Sequence, residues 1–215
     1  MIEPACERCG GDGWIVTNRG AAPCECSMLK RIADSLAEIP HRYRPAVREG
    51  WLGPWPLPSE LDEWRALPGA SPWTILVLGP KGCGKTFAAS ALFRATVERQ
   101  RIRGRFVDWP DTIEAVKREF DDEAAHGKTE RRLLAPDLLL LDDLGAERPT
   151  EFALALAARV LRHRHAQALP TIITSNAHDL SAFEAIDPRV ASRLAEDSVV
   201  LRMTGRDRRL EKASR

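Results

Sequence analysis

Eight residues, Gly79-Pro80-Lys81-Gly82-Cys83-Gly84-Lys85-Thr86, satisfy the pattern G-x-x-x-x-G-K-[ST]. Glycines at that spacing let the backbone wind round a polyphosphate and aim N–H groups at it. Lys85 is placed to reach the β- and γ-phosphates of ATP, and the Thr86 hydroxyl to ligate Mg²⁺. Cys83 reads as a small loop residue that could also make the loop sensitive to oxidation. The metal needs a second acid, and "LLLLDDLG" offers Asp142 and Asp143 behind four apolar residues. Asp142 is the expected Mg²⁺ ligand, mainly through water. Asp143 stands where a carboxylate can orient and deprotonate an attacking water. One of the two could merely cap the next turn, and Glu147 is a second candidate for the base. Asn176 ends "PTIITSN", where it either positions the water and γ-phosphate or caps a turn.

A second constellation is Cys6-x₂-Cys9-x₁₄-Cys24-x-Cys26. Reduced compartments rarely keep structural disulfides, so four clustered thiols suggest metal. Four thiolates complete one tetrahedral Zn²⁺ with no position left open, which makes the expected role structural. The glycines of "CGGDGW" allow the tight turn that such a site needs. Free thiols or another metal are the alternatives. A segment this short has almost no core and needs the ion to fold.

The elements that must position these groups follow from the pattern of apolar residues. Strands are expected at 74–79, 104–109, 137–143, 170–176 and 197–203. Helices are expected at 85–100, from about Asp111 to Glu123, and across "PTEFALALAARVLRHRHAQ". Continuous apolar strands alternating with helices argue for an α/β fold, a parallel five-stranded sheet with helices on both faces. Ahead of it, "SMLKRIADSLAEI" reads as a helix stopped by Pro40. A Pro- and Trp-rich connector follows, with a short helix near "SELDEWRAL". The expected division is a zinc-binding module at 1–27, a helix and linker at 28–72, and the nucleotide-binding domain at 73–215.

Composition sets outer limits. The chain is 44% hydrophobic and 29% charged over 215 residues, which suits a globular protein. No apolar run is long enough to cross a bilayer, and the N-terminus lacks an export-signal pattern, so the expected location is cytoplasmic. The net charge of +1 excludes a polycation that coats nucleic acid indiscriminately. Basic clusters nonetheless occur at 98–105, 128–132 and 159–165, and along the tail from Arg202 to Arg215. They read as solvated faces unless several share one surface.

The ordered set "GPKGCGKT", "LLLLDDLGAE", "PTIITSN" and "RVASRL" resembles the AAA+ ATPases of the DnaC/IstB group, over about residues 1 to 210. "IPHRYRPA" (39–46) resembles the segment before the ATPase core of the group's helicase loaders. The resemblance implies an AAA+ P-loop (ASCE) sheet, a preference for adenine, and ATP hydrolysis at sites shared between subunits. It implies that Asn176 is the sensor-1 residue and that Arg193 is the finger inserted in trans, with Arg189 as the alternative. In "GRDRR" it implies that Arg209 is a cis contact to the nucleotide. It also places 110–135, with Lys128, Arg131 and Arg132, where such proteins carry an extra helical element near DNA.

Three functions remain open on that reading. The first is a loader that places a ring-shaped replicative helicase on single-stranded DNA, with the zinc module docking on the helicase. The second is a transposition helper acting with a transposase on duplex DNA. The third is a zinc-dependent adaptor that binds nucleotide and hydrolyses little. The zinc module resembles that of certain helicase loaders and favours the first.

Overall fold

A computed structural model describes residues 6–18, 20–47, 74–122, 127–145, 150–205 and 207. The expected helix near "SELDEWRAL", the alternative base Glu147 and the nucleotide contact Arg209 lie outside the described residues.

The cysteine segment opens with a turn and a small antiparallel hairpin, β1 (Trp14–Thr17) and β2 (Gly20–Pro23). Sequence reading gave no strand here: Trp14–Thr17 is aromatic and β-branched throughout, but its partner "GAAP" carries no residue that marks a strand. Helix α1 (Glu25–Ala37) follows directly, with Cys24 as its N-cap residue and Cys26 in its first turn. It ends before Pro40, as expected, and a 3₁₀ turn spans His41–Val47.

The main sheet holds β3 (Thr74–Leu78), β4 (Gly104–Asp108), β5 (Leu138–Asp142), β6 (Thr171–Ser175) and β7 (Ser198–Arg202), in the order β4-β5-β6-β3-β7. All four pairings are parallel. The covering helices are α2 (Lys85–Gln100), α3 (Trp109–Arg118), α4 (Lys128–Leu134), α5 (Glu151–Ala166) and α6 (Pro188–Glu196). A 3₁₀ turn at Leu180–Ala185 precedes α6. The helix expected to run to Glu123 begins at Trp109 and ends at Arg118. Pro110 fits its first turn, and the Asp108 carboxylate caps it by accepting the Asp111 N–H at 3.1 Å.

Strand side chains alternate between two cores, which explains why β3, β5 and β6 are buried throughout. Leu76, Leu78, Leu139, Leu141 and Ile173 pack with Trp109, Ile113, Val160 and Leu194. Ile75, Val77, Leu138, Leu140 and Ile172 pack on the other face with Phe93, Val97 and Ile39. At the start of β4, a Cβ on Gly104 would sit 2.5 Å from the Phe93 ring, so only glycine lets α2 approach the sheet this closely.

β4 is an edge strand, and its outward N–H groups are met by side chains of the α1 segment. Gly104 N–H donates to Ser35 Oγ at 3.1 Å, and Phe106 N–H to Glu38 Oε2 at 3.1 Å. Arg105 pairs with Glu38 at 3.0 Å. Beneath the opposite face, the guanidinium of Arg164 is wholly buried. It donates to the carbonyls of Leu133, Pro136 and Pro170 and to Thr171 Oγ1, fixing the entries to β5 and β6.

Candidate nucleotide and metal sites

All five strands run the same way, so the loops at their carboxyl ends gather at one end of the sheet. Gly79–Gly84 forms the turn between β3 and α2, with positive φ at Gly79, Gly82 and Gly84. At Gly82 the φ of 76° is a left-handed backbone that favours glycine. Lys85 begins α2 and is buried at 5% exposure. Its ammonium donates to the Pro80 carbonyl at 3.0 Å and to Asn176 Oδ1 at 2.9 Å. Asn176 follows β6, which lies between the loop strand β3 and the acid-bearing strand β5. β6 lies beside the Asp142 strand, so its end places Thr174 and Asn176 between the acids and the loop strand.

Thr174 ties the acids together. Its hydroxyl donates to Asp142 Oδ1 at 2.6 Å and accepts the Asp143 N–H at 2.9 Å. Ser175 Oγ donates to the Leu144 carbonyl at 2.7 Å, stitching the turn after β5 to the end of β6. Asp143 holds a left-handed backbone, with φ of 57°, which sets its side chain apart from that of Asp142. The sequence reading passed over Thr174 and Ser175. The available signal was a polar pair ending a fully buried strand, because buried hydroxyls need partners.

Burial pushes the Asp142 carboxyl up to about 6. The Thr174 and Thr86 hydroxyls pull it down, while Asp143 and Asp108 push it up. Asp108 is raised too, chiefly by burial. Asp142, buried at a strand end and hydrogen-bonded to the Thr86 hydroxyl, has the oxygen chemistry of a Mg²⁺ ligand.

The candidate arginines sit on α6. Arg189 is exposed in its first turn, and its N–H donates to Asp187 Oδ1 at 2.7 Å. Arg193 is half-buried in the last turn, where its charge adds to burial in holding His165 below its ordinary value. Among the described residues, neither guanidinium bonds to this chain's own phosphate loop.

The four clustered cysteines converge as their spacing suggested. Their sulfurs all lie within 4.8 Å of one another. Cys6 and Cys24 are 3.8 Å apart, and Cys9 and Cys26 3.4 Å. A tetrahedron with Zn–S bonds of 2.3 Å has sulfurs about 3.8 Å apart, so the cluster is compatible with one zinc ion. The Gly13 N–H donates to Cys9 Sγ at 3.3 Å, the kind of outer hydrogen bond that steadies a thiolate ligand. Cys83 is buried in the phosphate loop, apart from this group.

A family described as IstB-like ATP binding protein matches residues 71–214. Among solved structures, the DnaC helicase loader is similar at 25% identity and a TM-score of 0.63, over 77% of this chain and 100% of that one. DnaI is similar at 23% identity and a TM-score of 0.56, over 67% of this chain and 79% of that one. The replication initiator DnaA bound to AMPPCP and single-stranded DNA is similar at 18% identity and a TM-score of 0.56, over 68% and 43%. No curated protein sequence matches significantly.

Proposed function

Because the chain belongs to the IstB-like ATP-binding protein family, with an α/β AAA+ fold, we propose that it hydrolyses ATP to load a ring-shaped replicative DNA helicase onto single-stranded DNA as replication begins. The observation that carries this reading is the fit to the DnaC helicase loader over the whole of that chain. The four-cysteine module supports it as the helicase-docking element.

The chemistry assigned to each residue follows from its surroundings. The loop amides and Lys85 hold the phosphates. Asn176 already accepts from Lys85 through Oδ1, so its NH₂ is left to donate to the γ-phosphate or the attacking water. Asp143 takes the proton of that water. Thr86 and Asp142 would hold Mg²⁺, which neutralises charge on the phosphates. Arg193 of a neighbouring copy, or Arg189, enters the site and stabilises the charge that spreads over the transferring phosphoryl group. Such fingers accelerate hydrolysis by roughly 10³–10⁵. Arg209 adds a contact in cis. Self-association through these shared sites lets hydrolysis reset a protein–DNA assembly.

Pull-down of the intact protein, and of a form lacking residues 1–27, against a ring helicase tests the reading, with ATP and single-stranded DNA added in turn. Capture that needs the cysteine module, and that DNA-stimulated hydrolysis loosens, supports it. No capture, with ATP-dependent coating of duplex DNA, favours a transposition helper. Nucleotide binding without turnover, even with helicase and DNA present, favours the adaptor.

A further inference from the structure

The amino ends of the strands carry a second feature, facing away from the nucleotide site. A groove of ≈ 390 Å³ runs between α1, the start of β4 and the length of α4. Arg31, Arg103, Arg105, Lys128, Arg131 and Arg132 line it, against two acids, Asp34 and Glu38. All the cations except Arg105 are exposed. The groove therefore gathers a strong positive excess on a chain whose net charge is +1. It unites the basic clusters of 98–105 and 128–132, which are separate in sequence, and adds Arg31 from the helix that follows the cysteines.

We propose that this groove binds the sugar-phosphate backbone of DNA. The lining favours phosphate over a protein surface, because it holds no aromatic or large aliphatic side chain. The remaining wall is Ser35, Gly104, Ala135 and Pro136. Protein interfaces are anchored by buried aromatic and aliphatic residues, and base recognition on single strands by stacking platforms. Neither is available here, whereas arginine forks and a lysine suit phosphates without regard to sequence. One acid is already engaged, since Glu38 accepts from Phe106 N–H and pairs with Arg105. Arg103 is anchored on the Ala135 carbonyl at 2.7 Å, which fixes its fork at the groove wall. The groove deepens the DNA-handling half of the proposed function and does not depend on the helicase half.

The test is fluorescence anisotropy of the full chain with a labelled 25-nucleotide single strand and its duplex, across a KCl series. The Arg31→Gln/Lys128→Gln/Arg132→Gln variant is compared with a control of equal charge change, Arg8→Gln/Arg94→Gln/Arg162→Gln. Each lost phosphate contact removes about 0.7 from the salt slope on single strands, so the groove variant should flatten it by about 2. The control should keep the slope, and all proteins should bind a fluorescent ATP analogue alike. Arg31→Lys/Arg132→Lys, which keeps the charges, should retain the wild-type slope. The proposal is overturned if the groove variant binds DNA as wild type does, if the control loses as much, or if the wild type binds no DNA. It is also overturned if the groove variant loses only binding to poly-glutamate. DNA binding through the groove with no helicase capture would retire the loader reading and leave the groove standing.

Discussion

At the scale of single residues, the nucleotide site is a chain of contacts. Lys85 leans on Asn176, and Thr174 joins Asp142 to the backbone of Asp143. Lys85→Ala should abolish ATP binding or turnover, read by equilibrium binding of a fluorescent analogue and by phosphate release. Unchanged hydrolysis would remove the phosphate-loop assignment. Thr174→Val keeps the shape but strips the hydroxyl from a buried carboxylate. We expect a loss of about 1–3 kcal/mol in stability from the stranded acceptor, measured by urea denaturation, together with weaker magnesium dependence of turnover. Arg193→Ala should leave ATP binding intact and stop turnover of the assembled protein. If mixtures with wild type show no pattern of shared sites, the role in trans fails. The loop and the acids were legible because their residue types occur together in sequence. Thr174 was not, because its role exists only once β6 lies beside β5.

At the scale of elements, alternation of apolar runs with helices was enough to give the five-stranded parallel sheet, because strands buried on both faces cannot hide their composition. The order of the strands could not be read in this way, and neither could the hairpin at 14–23, where the strand-forming Trp14–Thr17 pairs with "GAAP", which has no strand signal of its own. Helix α4 was expected only through the resemblance, as part of an extra helical element at 110–135: seven residues rich in charge give too little periodicity to stand out. Arg164 shows the same limit. In sequence it belongs to a basic run, yet it is wholly buried and serves three carbonyls and a hydroxyl. Arg164→Ala should therefore be among the more damaging substitutions away from the nucleotide site. Several buried acceptors lose their donor at once, and we expect a loss of about 3 kcal/mol or more. Urea unfolding monitored by far-ultraviolet dichroism would check it, and a loss under about 1 kcal/mol would show that water replaces the guanidinium.

At the scale of the whole molecule, the cysteine cluster and the sheet share one helix. Cys24 and Cys26 sit at the beginning of α1, while Ser35 and Glu38, toward and just past its end, serve the outer amides of β4. Chelation should lower the melting temperature of the full chain and not only loosen the first residues. Calorimetry with and without a zinc chelator would read this, and an unchanged transition would uncouple the two parts. Ser35 and Glu38 also do for β4 what a further strand would do. If stripping the cysteines of metal frays α1, the open border is left free to pair with the same border on another molecule. The first sign of metal starvation would then be turbidity rather than lost enzymatic turnover, with molecules stacking border to border into ribbons.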